Sequence, residues 1–183
     1  MSSENLILIG MPGAGKSTVG VILAKRLGYH FIDTDLLIQA QEGCRLQDII
    51  DRQGLERFRQ IEEQVLLGLE TQRTVIATGG SVIYSRPGIE AIKRCGRLVY
   101  LQVGLAELQS RISDMGERGL VMGAGQSFSD LYAERTPLYA EHADVFVDCT
   151  GLNTEQVAAR IEKQVLVGQI DRWVDMMTEK KND

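Results

Sequence analysis

The sequence predicts an α/β fold, a three-layer sandwich built on a five-stranded parallel sheet. Three observations predict it. Short runs that are apolar throughout alternate with longer segments of helical period, the pattern of a parallel sheet covered on both faces. The 183 residues suit one domain with its own core. No internal repeat, low-complexity tract or linker-like stretch divides them. Residues 1–167 therefore read as a single domain, and 168–183 as a helical extension or tail.

The elements follow in order. "NLILIG" is a buried strand that breaks at glycine. "KSTVGVILAKRL" places Val19, Ile22, Leu23 and Leu27 on one helical face. "YHFIDTD" is a second short strand. "LQDIIDRQGLERFRQIEEQVLLGLE" is helical, with Gly54 separating two helices. "TVIATGG" and "RLVYLQV" are the third and fourth strands. "LAELQSRI" and "LYAERTPLY" are helical, with Pro137 ending or kinking the latter. "ADVFVDC" is the fifth strand, and "NTEQVAARIEKQVLV" the helix after it. Ligands of such sheets bind beyond the carboxyl ends of the strands, so the residues just after each strand matter most.

Composition limits the partners. The net charge of −5 gives no global basic field to attract nucleic acid or an anionic membrane, so an anionic ligand must meet local positive charge. Cys44, Cys95 and Cys149 are far apart and lack metal-ligand spacing, so they read as reduced packing residues of a cytoplasmic protein. The opening "MSSENLILIG" does not read as a secretory leader. No apolar run approaches the roughly 20 residues that span a bilayer. His30 and His142 have no partner that suggests a nucleophile or a metal site. A monomer is expected; a dimer contact through Trp173 and Met176 on the last helix is the alternative.

After the first strand stands "GMPGAGKS", the phosphate-binding pattern of glycine, four residues and Gly-Lys-Ser. Gly10, Gly13 and Gly15 let successive N–H groups turn inward, and the next helix points its N-terminus at the same place. Lys16 can reach the β- and γ-phosphates, and the Ser17 hydroxyl can ligate Mg²⁺. No Asn-Lys-x-Asp segment marks guanine specificity, and the chain is short for a motor. A small-molecule kinase is the favoured class. After the second strand, "FIDTDLLI" carries Asp33 and Asp35, which alternation in an extended segment would put on one side with Thr34 opposite. One carboxylate can hold Mg²⁺ and the other an acceptor's hydroxyls; the bland alternative is an acidic helix start. Arg59, Arg118 and Arg135 suit paired hydrogen bonds to carboxylate or phosphate, whereas Arg57 reads as a surface residue.

From about residue 5 to 165 the chain resembles the shikimate kinases, nucleoside monophosphate kinase-like enzymes with a mobile lid. The resemblance rests on "GMPGAGKST", "FIDTD", "FRQIEE", "TGG" after a strand, an arginine in a glycine-rich lid segment and "ERTPLY", in that order. It implies that Gly13, Ala14, Gly15, Lys16, Ser17 and Thr18 cradle ATP phosphates, with Ser17 and Asp33 serving Mg²⁺. It implies that Asp35 holds the acceptor's hydroxyls and that Arg59 and Arg135 clamp its carboxylate. Gly79 and Gly80 would offer backbone N–H groups to the same ligand. Arg111 would stack on adenine. Arg118 would swing in with a lid at about 112–128, floppy without ligand, to meet the phosphates. The implied reaction is phosphorylation of shikimate by ATP. The alternatives are a kinase for another hydroxy acid and a nucleotide-binding regulatory module.

Four departures stand out. Ser81 replaces the family's usual third glycine, and Arg118-Gly119-Leu120 replaces Arg-Pro-Leu. The lid segment is glycine-rich and poor in cations, and "CTGLNTE" puts Leu152 and Thr154 near positions where the adenine loop often has arginine and proline. Ser81 bears most directly on the acceptor. Its hydroxyl either joins the acceptor site or turns away.

Overall fold

A computed structural model of the chain describes residues 4–113 and 125–179. Five strands, β1 (Asn5–Ile9), β2 (His30–Asp33), β3 (Thr74–Ala77), β4 (Gly96–Gln102) and β5 (Val145–Asp148), form one parallel sheet in the order β2-β3-β1-β4-β5. β1 and β3 are wholly buried, as apolar runs between two helical layers must be. Around the sheet lie α1 (Lys16–Leu27), α2 (Thr34–Glu42), α3 (Leu46–Leu67), α4 (Arg86–Cys95), α5 (Leu105–Ser113), α6 (Phe128–His142) and α7 (Thr154–Glu179). Among the described residues no helix is long and apolar enough to cross a membrane.

The strand order fixes where a ligand can sit. The chain leaves β1 for β2 on one side and leaves β3 for β4 on the other, although β1 and β3 are hydrogen-bonded neighbours. Their loops therefore diverge and open a crevice at the carboxyl end of the sheet. The main core of β1, β3 and β4 with α1, α4 and α7 backs this crevice. A second, smaller cluster of Ile38, Ile49, Phe58, Ile61 and Val65 holds α2 and α3 together beside it.

Three local outcomes depart from the sequence reading. The "FIDTD" segment is not extended throughout: the strand stops at Asp33, and Thr34 opens α2. Asp33 Oδ1 accepts from the N–H groups of Asp35 and Leu36, a helix cap that ends the strand. The acidic helix start was therefore right about the backbone. Pro137 does not end its helix, which continues to His142. A Ser127–Asp130 capping box starts this helix, and buried Leu131, Arg135 and Tyr139 hold it to the core. Finally, α4 has no counterpart in the reading; Pro87 is accommodated in its first turn. The division at Gly54 holds: its φ of 82° and ψ of 164° break α3 into two pieces.

Candidate active site

The phosphate-binding loop is built as its glycines require. Gly13 (φ 81°) and Gly15 (φ 90°) take left-handed backbone that a side chain would strain. Gly15 caps α1, whose first turn holds no acidic residue, so the helix N-terminus is left for an anion. Ser17 and Thr18 are exposed there. Lys16 is nearly buried, and its Nζ donates to Gly10 O (2.8 Å) and Met11 O (3.0 Å), the carbonyls of its own loop. Burial lowers its pKa to about 8, with Asp35 opposing that shift.

A cavity of about 870 Å³ runs from this loop along the crevice. Lys16, Ser17, Thr18, Asp33, Asp35, Glu62, Gly79, Gly80, Ser81 and Arg135 all line it. Asp33 and Asp35 thus face one space through a cap and a first helical turn, not through strand alternation. Burial raises Asp35 to about 6, helped by Asp33 and opposed by Lys16.

The end of β3 is crowded with carboxyls. Gly79 donates its N–H to Thr34 Oγ1 (3.2 Å), which ties β3 to the start of α2. That amide is engaged and does not point at a ligand as expected. What Gly79 supplies instead is room: a Cβ there would lie 2.5 Å from Glu62 Oε1 and 2.9 Å from Asp35 Oδ1. Gly80 lies between Pro12 and Arg135, and its carbonyl accepts from Tyr139 Oη at 2.5 Å. Ser81 is buried, and its hydroxyl donates to Glu62 Oε2 at 2.5 Å. Burial raises Glu62 to about 7, although the Ser81 hydrogen bond, Arg135 and Arg59 all favour its charged form.

The expected arginine clamp is only half assembled. Arg135 is buried at 1% exposure and lines the main cavity. Arg59 does not line it. Its guanidinium lies 4.7 Å from the Tyr84 ring centre, beside a separate cavity of about 200 Å³. Arg135 lies 5.1 Å from the same ring and donates through Nε to Tyr84 Oη (3.1 Å), which in turn donates to Glu134 (2.6 Å). Arg111 sits against the phosphate loop, donating to Gly13 O (3.2 Å) and pairing with Glu107. Arg118 and Gly119, with the expected lid conformation, lie outside the described residues. Arg57 is exposed and donates to Gln60 Oε1 (3.4 Å), in keeping with a surface role.

Glu62, Thr34 and Tyr84 were missed by the sequence reading. Glu62 left a signal: it follows Phe58 by four residues and precedes Val65 by three, so it lies on the apolar stripe of α3. Thr34 and Tyr84 left none, because their partners are far away in the chain.

The protein comparisons agree with this geometry. Residues 12–166 match the family model described as shikimate kinase. A shikimate kinase of a Synechococcus species is 40% identical over 170 residues, covering 90% of this chain and 86% of the relative. That of Thermodesulfovibrio yellowstonii is 35% identical over 164 residues, covering 88% and 94%. Among solved structures, shikimate kinase from Acinetobacter baumannii in complex with shikimate superposes with a TM-score of 0.81 at 31% identity, covering 90% of this chain and 94% of that one. With a phosphate-binding loop, several carboxyls and a buried arginine around one crevice, and this likeness along nine-tenths of its length, the chain belongs to the shikimate kinase family.

Proposed function

We propose that the protein transfers the γ-phosphoryl group of ATP to a ring hydroxyl of shikimate, giving shikimate 3-phosphate and ADP. The observation that carries this reading is one cavity holding Lys16 and the α1 N-terminus at one end and Asp35, Glu62 and Arg135 at the other. Polyphosphate fits the first end. A small acid with several hydroxyls fits the second.

Residues 13–18 take the β- and γ-phosphates, with Lys16 turning from its loop carbonyls to phosphate oxygens. Ser17 and Asp33 would hold Mg²⁺: both present hard oxygen donors to the cavity, and Asp33 has its second carboxylate oxygen beyond the cap. Among the described residues no cluster of three or more acidic, Cys or His ligands forms a cage, which suits an ion that keeps waters and phosphate oxygens. When bound, Mg²⁺ neutralises charge between the phosphates. Asp35 accepts a hydrogen bond from the attacking hydroxyl. As the acceptor oxygen bonds the γ-phosphorus, the bond to the bridging oxygen of ADP breaks and the proton passes to Asp35. Arg135 binds the acceptor carboxylate, and Arg59 joins it only by leaving Tyr84. Gly79 gives clearance and Gly80 a backbone donor. Arg111 packs on adenine, and Arg118 closes on the phosphates. The site residues that the structure describes all come from one chain, which fits a monomer, and three free thiols fit a reducing cytoplasm.

An ADP-release assay with shikimate, quinate, gluconate and homoserine tests the acceptor. Shikimate is expected to give the highest kcat/KM. Turnover of another acid without shikimate would mark a different hydroxy-acid kinase, and ATP binding with no acceptor-dependent ADP release a regulatory module. Asp35→Asn is expected to lower kcat by 10²- to 10⁴-fold, roughly the worth of a positioned base, while ATP affinity stays within about twofold. Retained activity would show the residue assignment to be wrong.

A further inference from the structure

Ser81 is, in this chain, attached to a buried carboxyl. We propose that Ser81 is a positioning residue that sets acceptor affinity by holding the Glu62 carboxylate in the wall of the acceptor pocket. The proposal deepens the kinase reading and rests on it for the identity of the pocket.

Ser81 has φ −91° and ψ −4°, ordinary backbone that needs no glycine. Its side chain is therefore free to serve a purpose. It is 3% exposed and Glu62 is 6% exposed, so their hydrogen bond is shielded from water. The bond uses Oε2. The other oxygen, Oε1, is turned to the Cα of Gly79, where Asp35 Oδ1 also points. One carboxyl orients the attacking hydroxyl, and the other is placed to accept from a neighbouring hydroxyl of the same molecule.

Glu62 and Ser81 also line both the main cavity and the smaller cavity beside Arg59 and Tyr84, so they form the partition between the two. Without the Ser81 hydroxyl, Glu62 would be free to swing toward Arg59 on the far side of that partition. Its Oε1 would then leave the acceptor. The charged groups acting on Glu62 are Asp35 from α2, Arg59 from α3 itself and Arg135 from α6. Asp35 disfavours its ionised form, and the two arginines and the Ser81 hydroxyl favour it.

The test is a double-mutant cycle of Ser81→Ala and Glu62→Gln, with alanine chosen because it fits the backbone without strain. Ser81→Ala alone is expected to raise the KM for shikimate about tenfold, as loss of a buried hydrogen bond to a charged group would. The KM for MgATP should stay within twofold. In the Glu62→Gln background the same substitution should change the shikimate KM by less than about twofold, because Ser81 acts through Glu62. An independent readout is the titration of the Glu62 carboxyl by carbon NMR in the unliganded protein: its midpoint should move to higher pH in Ser81→Ala and return in Ser81→Thr. That measurement needs no acceptor. It decides the Ser81–Glu62 link even if the protein proves to phosphorylate another acid, in which case the cycle is run with that acid. The proposal is overturned if Ser81→Ala leaves both the acceptor KM and the Glu62 titration unchanged. It is also overturned if the two substitutions have additive effects on the acceptor KM.

Discussion

Adding one methyl group to Gly79 should damage the acceptor site while leaving ATP binding nearly intact. A Cβ built there lies 2.5 Å from Glu62 Oε1 and 2.9 Å from Asp35 Oδ1. To restore ordinary contact, the first oxygen must retreat by about 0.9 Å and the second by about 0.5 Å. Neither can do so freely. Glu62 is fastened through Oε2 to Ser81, and Asp33, two residues before Asp35, caps the same helix turn. Gly79 itself is outside the left-handed region, so alanine adds no backbone strain. Misplacing reacting groups by about 1 Å can cost on the order of 10²-fold in rate. Gly79→Ala is therefore expected to lower kcat/KM for shikimate about 100-fold, whereas overpacking at one buried position costs roughly 1–3 kcal/mol of stability. Coupled ADP release gives the first number and urea unfolding the second. ATP affinity, read by fluorescence titration, should change little, because the phosphate loop lies at the other end of the cavity. A Gly79→Ala protein with wild-type kcat/KM for shikimate would refute the placement of Asp35 and Glu62 around the acceptor.

Two further outcomes are open to direct measurement. Thr34→Val keeps the side-chain shape but leaves the buried Gly79 N–H without its acceptor. It should cost about 1–3 kcal/mol in urea unfolding, and an unchanged midpoint would show that this amide finds another partner. Folding raises Glu62 from its ordinary value to about 7, so the folded state favours the protonated form. The stability this gives is fully present below about pH 4.5 and is lost as pH rises through about 7. Glu62→Gln stays neutral, so relative to the wild type it should gain up to about 3 kcal/mol between pH 4.5 and 8 in the unliganded protein. A difference that stays flat with pH would mean that Glu62 titrates normally.

Ser81 also bears on how the acceptor site is built. In this chain the residue neither enters the cavity as a free hydroxyl nor turns away to solvent. It spends its one donor on a carboxyl 19 positions earlier in the chain. Two residues that look independent in the sequence thus act as a pair, and they are best exchanged together.

Much of the fold was legible in the sequence because its signals are local. Apolar runs marked all five strands, and the period of "KSTVGVILAKRL" gave α1 its observed bounds, Lys16–Leu27. Gly54 announced a break that the backbone makes. The phosphate loop was equally local: a glycine pattern that specifies its own dihedral angles and the helix end behind it. The acceptor half of the site was legible as residue types but not as an arrangement. "FIDTD" showed two acids but not the turn between them, because the Asp33 cap competes with strand extension. "TGGS" showed glycines but not that one supplies clearance and its amide is already taken by Thr34 from another strand's end. "FRQIEE" contained both Arg59 and Glu62, yet only packing decides that Glu62 enters the cavity while Arg59 lies against Tyr84. The sequence by itself determined the sheet, the phosphate loop and the kind of chemistry, since each depends on residues within a few positions of one another. Tertiary structure alone decided which carboxyls and arginines meet, because burial and hydrogen bonding there join β3 to α2, α3 and α6 across tens of residues.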